Sequence, residues 1–149
     1  MLTELKKLEK NLAKLQKQLP TIIKKAVKNN EYKIIELNQN QLQKGLFPDG
    51  STTPFYSPAT LMMKANEGTL NGRNYTLYDS GELYNAMKVI VKDYIVSITS
   101  TSKTAKLFDE QSQKNSPFGI ERYFGVDEDK LVELIMPDIM AGIKEVLNV

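Results

Sequence analysis

The sequence predicts an α+β domain with long N-terminal helices, a small antiparallel β-hairpin, short helices and a C-terminal helix. Three observations carry that expectation. Apolar residues recur every three or four positions through residues 5–42 and again through 131–147. Between them, Val89 and Val91 alternate with Lys88 and Lys92, and Val96 and Ile98 with Ile95, Ser97 and Thr99, the period of a strand. The two periods lie in separate blocks, which is the α+β order and not the repeating βαβ order of a parallel sheet.

Leu5, Leu8, Leu12, Leu15 and Leu19 are spaced 3, 4, 3 and 4 apart, the seam of a coiled coil. Two heptads are too short to stand alone, so the stripe is expected to pack on the body of the protein or on a neighbouring subunit. Pro20 is expected to end or kink this helix. A second helix is expected from Thr21 to about Lys44, with Gly45 as its stop. Pro48-Asp49-Gly50 has the chemistry of a turn, because proline sets one dihedral and glycine allows a positive one. Ser57-Pro58 reads as an N-cap followed by proline at the first helical position, opening a short helix through Leu61, Met62 and Lys64. Residues 66–74 are polar and glycine-bearing, a surface loop. Asp79 and Glu82 fit a capping box before Leu83, Ala86 and Met87. Val89 and Val91 alternate with lysines, and Val96 and Ile98 with Ile95, Ser97 and Thr99. Lys92-Asp93-Tyr94 forms the turn between them. Leu107 and Phe108 anchor a short helix or extended segment over 104–113, and 114–126 is an ordered loop. Asp127 caps a final helix, which Pro137 is expected to kink.

At 149 residues, with 41% hydrophobic and 26% charged content, the chain has the composition of one globular domain. It divides into a basic helical arm, 1–44, and an α+β body, 45–149, expected to form one compact unit. No apolar run is long enough for a membrane span, and no signal-peptide pattern is present. There is no cysteine and no histidine. Disulfides, thiolate nucleophiles, Ser-His-Asp triads and His- or Cys-based metal sites are therefore excluded. Charge is uneven: residues 1–33 hold nine lysines against three glutamates, a net +6, which leaves −4 for the rest of a +2 chain. A solvated helix face is the simpler account of those lysines. An acidic partner surface or nucleic acid is the sharper one.

Candidate chemistry is sparse. Asp79 and Glu82 offer an acid and a base without histidine, but a helix cap accounts for the whole of Asp79-Ser80-Gly81-Glu82. Asp127, Glu128 and Asp129 lack the ligand spacing of a calcium loop and suit a helix first turn. Gly119 and Gly125 are not followed by the Lys-Ser/Thr of a phosphate loop. The lysine arm has no arginine for bidentate base contacts, so its nucleic-acid reading is weak, sequence-independent backbone binding. The residues point to a non-enzymatic protein with no cofactor and no metal.

The order of segments goes further. Asp49-Gly50, then Phe55-Tyr56-Ser57-Pro58 with Thr60 and Lys64, then Ser80-Gly81-Glu82-Leu83 stand ahead of a predicted hairpin. Ala105, Phe108 and Gln111 follow, and Ile120, Arg122, Phe124 and Gly125 precede a last helix. In that order they resemble the phage virion morphogenesis, or tail-completion, family of Mu-like and lambda-like tailed phages, over roughly residues 45–135. The chain departs from the family pattern in having Phe55 for tryptophan, no proline in Gly119-Ile120-Glu121-Arg122, and no glycine after Gln111. The resemblance implies a structural virion protein acting in head–tail joining or tail completion. It would be made in the host cytoplasm and housed at the head–tail junction. It would form a ring, six-fold by family analogy, against connector, tail-terminator or tail-tube proteins. The family motifs and loops together nominate Phe55, Tyr56, Pro58, Gly81, Leu83, Arg122, Phe124 and Gly125 as interface residues. Lys6, Lys10, Lys14 and Lys17 are candidate electrostatic contacts. The alternative is a small nucleic-acid-binding accessory protein using the basic N-terminal helices, and no membrane role is expected.

Overall fold

A computed structural model describes residues 1–106 and 123–149. The sequence expectations placed on Leu107, Phe108, Gln111, Ile120 and Arg122 lie outside those residues. The architecture is α+β. Helix α1 (Leu2–Asn29) is followed by α2 (Glu31–Gln43), α3 (Pro58–Glu67) and the single turn α4 (Glu82–Asn85). Strands β1 (Met87–Lys92) and β2 (Ile95–Ser100) come next, and α5 (Glu128–Leu147) closes the order.

The N-terminal helices break at a different place from the one the sequence suggested. Pro20 lies inside α1, which continues to Asn29, and the interruption falls at Asn30. Proline removes one helical hydrogen bond and crowds the preceding turn, at about 3 kcal/mol. The turns on either side nevertheless stay helical, because Ile23, Ala26 and Val27 are held against α5 and the strands. Asn30 stops the helix instead. Its side-chain amide donates to the Ala26 carbonyl at 2.9 Å and to Asp138 of α5 at 2.8 Å, diverting the chain from helical continuation.

At most other helix ends and turns local chemistry decides as expected. The Asp49-Gly50 turn closes with Phe47 and Ser51 paired at 2.8 Å and Gly50 at φ 82°. Ser57 caps α3 by accepting from the Thr60 amide at 3.2 Å, with Pro58 in the first helical position. Asp127 caps α5 through the Lys130 amide at 3.1 Å. Strands β1 and β2 pair antiparallel from Met87↔Ser100 to Lys92↔Ile95, so the loop is the two residues Asp93-Tyr94, with Asp93 at φ 56°. The capping box at Asp79 is not formed. Gly81, at φ 85°, takes the N-cap position, and Ser80 Oγ accepts from the Glu82 amide at 3.3 Å. The left-handed residue delays the helix start to Glu82, and the strand starts at Met87, leaving room for one turn.

Two clusters of buried side chains share Phe124 between them. Leu42, Phe47, Leu83, Tyr84, Met87 and Tyr123 form one, under the central loops. Ala26, Val27, Ile34, Ile98 and Ile135 form the other, where α1, α2, the hairpin and α5 meet. Ile34 and Leu42 are each buried in one of these clusters, so α2 packs against both the hairpin and the central loops. The α1–α5 crossing is tight at Gly142, where a Cβ would stand 2.7 Å from Cγ2 of Ile22. Gly142→Ala should therefore destabilise by about 1 kcal/mol or more, although alanine favours the helix by about that amount. A thermal midpoint that rises would show that the crossing has room.

Candidate functional site

The segment between α2 and β1 is built as a platform with little freedom. Gly45 turns the chain at φ 67°, where a Cβ would lie 2.5 Å from Cβ of Asn74, so the two backbones meet closely. From there 52–56 runs antiparallel to 73–75: Tyr56 N–H donates to the Arg73 carbonyl at 2.9 Å and Tyr75 N–H to the Pro54 carbonyl at 2.8 Å. Thr53 Oγ1 donates to the Tyr75 carbonyl at 2.7 Å.

Underneath lies a tyrosine cluster. Tyr56 and Tyr75 meet edge to face at 4.4 Å, and Tyr78 and Tyr84 do so at 5.3 Å. The Thr76 amide donates to the Tyr56 hydroxyl at 3.0 Å, and the Tyr84 hydroxyl donates to the Thr76 carbonyl at 2.6 Å. Lys64 is buried among them. Its ammonium donates to the Tyr78 carbonyl and lies 5.3 Å from the centre of the Tyr56 ring. Burial first, and then the neighbouring Tyr56 and Tyr78, push the Tyr84 hydroxyl well above the usual phenol range. Tyr84 is therefore a fixed hydrogen-bond donor and not an acid or nucleophile at neutral pH.

Tyr84→Phe should cost about 1–2 kcal/mol, because the buried Thr76 carbonyl loses its donor. The pH dependence has a definite sign. The unfolded chain releases this proton from about pH 10 upward while the folded chain keeps it. Stability contributed by Tyr84 is therefore whole below about pH 10 and declines above it. Denaturant midpoints for Tyr84→Phe should fall less steeply than wild type in that range.

The nominated interface residues separate into two groups. Phe55 stands 71% exposed on this platform, held from both sides by the ladder, and Pro58 is also exposed. Tyr56, Gly81 and Leu83 are buried within the chain. They shape the platform and present no surface, because their side chains or backbone fill the core that the loop needs. Phe124 is half-buried between the two clusters, and Gly125 packs on Pro48, where a Cβ would meet the ring at 3.1 Å. Lys6, Lys10, Lys14 and Lys17 are exposed in a row on α1.

Glu82 serves the fold. Its carboxylate accepts from the Lys103 amide at 3.3 Å and the Thr104 hydroxyl at 3.4 Å, at the start of the helical turn over 103–106. Among the described residues, no group of three or more acidic, histidine or cysteine side chains is placed to hold a metal ion. No described helix is long and apolar enough to cross a membrane.

Other surfaces were not evident from sequence. Tyr94, Ile95 and Val132 are exposed around a groove of about 430 Å³ between the hairpin tip and the start of α5. On α1, Leu2, Leu5, Leu8 and Leu12 are each more than half exposed. The heptad spacing of Leu5, Leu8 and Leu12 was legible, but the lack of cover was not. Comparisons with known protein families, curated proteins and solved structures found no match.

Proposed function

We propose that this chain is a structural virion subunit of a tailed phage or prophage, acting in head–tail joining or tail completion through contacts with its own copies and with connector or tail proteins. One observation carries the reading: described parts of segments that resemble the tail-completion family, distant in sequence, meet in pairs in the fold. Lys64, from the Ser57-Pro58 segment, reaches the Tyr78 carbonyl beside Gly81, and Gly125 packs on Pro48 beside Asp49-Gly50. Further support comes from apolar side chains left in the open, foremost Phe55, whose backbone is fixed by the ladder on either side. A preformed aromatic anchor loses little freedom when a neighbour covers it.

The test is composition of the particle. Mass spectrometry of purified tailed particles from the source strain should detect the chain beside portal and tail-tube proteins, and Phe55→Asp should reduce its incorporation. Particles that contain those proteins and lack this chain would remove the reading. The exposed lysine row favours a second reading, binding along a nucleic-acid backbone. That reading requires affinity that falls steeply with salt and is reduced by Lys10→Glu plus Lys14→Glu.

A further inference from the structure

We infer that the N-terminal half of α1 pairs with the same half of a second copy, as a two-fold antiparallel helix pair. This inference does not depend on the virion reading. It begins with a face that is covered along half its length. Ile23, Ala26 and Asn30 follow Leu5, Leu8 and Leu12 by eighteen residues each, about five turns at 3.6 residues per turn, so both triplets lie on one face of α1. In the second triplet Ala26 is 2% and Asn30 8% exposed, whereas Leu5, Leu8 and Leu12 are 58%, 53% and 52% exposed. The packed seam of the domain thus continues along the helix with nothing on it. The end of α5 shares a groove with Lys14 and Gln18, which leaves residues 2–13 as a projecting rod of about 18 Å.

The pattern on that rod fits another copy of itself. Leu5, Leu8 and Leu12 on the rod and half-buried Leu15 at its base are spaced 3, 4 and 3 apart, a series that reads the same in both directions. Run antiparallel, Leu8 faces Leu12 of the partner copy and Leu5 faces its Leu15, so one two-fold axis satisfies all four. The seam is flanked by Glu4, Glu9, Asn11, Gln16 and Gln18, with no basic residue, while the five lysines of residues 6–17 lie on other faces. Two copies can therefore approach without lysine facing lysine.

Charge selects the orientation. A parallel pair would set Glu4 against Glu9 of the partner copy on both sides. The antiparallel pair carries each basic tip toward the other copy's body, which bears the chain's net −4 outside residues 1–33. It would arrive near the end of α5, where Glu145 lies across from Lys14. Antiparallel pairing also sends the two bodies to opposite ends of the rod, where they cannot collide.

Sedimentation equilibrium of the full chain is the test. The wild-type mass should double as concentration rises, and Leu8→Asp plus Leu12→Asp should raise the dissociation constant by more than about a hundredfold. Those two side chains touch little of their own chain, so the circular dichroism melt of the dilute protein should be unchanged. The chain has no cysteine, which makes orientation directly readable. Leu8→Cys mixed with Leu12→Cys should form the mixed disulfide under mild oxidation, and Leu8→Cys alone should not cross-link to itself. A protein monomeric at every concentration overturns the inference, whether it stays free or is taken up by phosphatidylserine vesicles on the same apolar face. So does a dimer unaffected by the double substitution, or a Leu8→Cys disulfide with itself.

Discussion

Asn38→Leu should lower the free energy of unfolding by about 2–5 kcal/mol, one of the two largest losses expected from a single substitution here. Asn38 is fully buried on α2 at 0% exposure. Its amide donates to the Tyr123 carbonyl at 3.0 Å and to the Gly125 carbonyl at 2.8 Å. These bonds fasten the chain entering α5 to the second helix, and they set Phe124 between the two hydrophobic clusters. The side-chain oxygen accepts no hydrogen bond among the described residues, so the residue is held for its two donors. Leucine branches in the same way but is larger, and it removes both donors, so the Tyr123 and Gly125 carbonyls lose their bonds to α2 while the added bulk strains a fully buried position. Urea unfolding measures the loss directly, and a change below about 1 kcal/mol would mean that residues 123–125 are held by other means.

Leu42→Ala should cost a comparable amount, about 2–5 kcal/mol, by leaving a cavity that its neighbours cannot close. Leu42 is 0% exposed and packs in the cluster with Phe47, Leu83, Tyr84 and Met87. Those neighbours cannot relax into the gap. The Phe47 ring lies tilted against Tyr123 with centroids 5.0 Å apart, and Tyr84 is pinned by its hydroxyl to Thr76. The control is Leu8→Ala, the same chemical change at a position 53% exposed, which should alter the stability of the dilute protein by less than about 0.5 kcal/mol. Equal losses at both sites would show that Leu8 is covered within its own chain. With domain stabilities commonly about 5–15 kcal/mol, either core change removes a large share of the total.

These two leucines also mark how much of the molecule was legible in advance. Both occur in helical sequences with apolar spacing, and nothing local separates them. Helix existence, the hairpin and the caps at Ser57 and Asp127 were readable because they follow from interactions within a few residues. The Asp49-Gly50 turn was readable for the same reason, since proline, glycine and short hydroxyl or carboxyl side chains act on their own backbone. The helix break was misplaced because local rules weigh Pro20 heavily. The contact that ends α1 is between Asn30 and Asp138, more than a hundred residues away in sequence.

The candidate contact surface was legible in part for a related reason. Sequence singled out Phe55-Tyr56 as an aromatic pair in a turn-rich loop, and the strand-like ladder then sends one outward and one inward. Alternation along an extended segment demands that neighbours face opposite sides, but which side is core depends on what the rest of the chain places there. Lys64 shows the same limit. A lysine on a short helix reads as solvated, and only the fold brings the Tyr56 ring and the Tyr78 carbonyl close enough to hold its charge inside.

By itself, the sequence settled which side chains are available: no cysteine or histidine, a +6 N-terminal segment, leucines in heptad order and an α+β succession of periods. Those are properties of composition and of neighbours along the chain, where the relevant forces act over one or two turns. The tertiary structure settled which of those side chains remain free to meet another molecule. Burial depends on long-range packing: the end of α5 beside Lys14 and Gln18 leaves the leucine face of α1 open, and the fold of the central loops leaves Phe55 exposed above buried Tyr56.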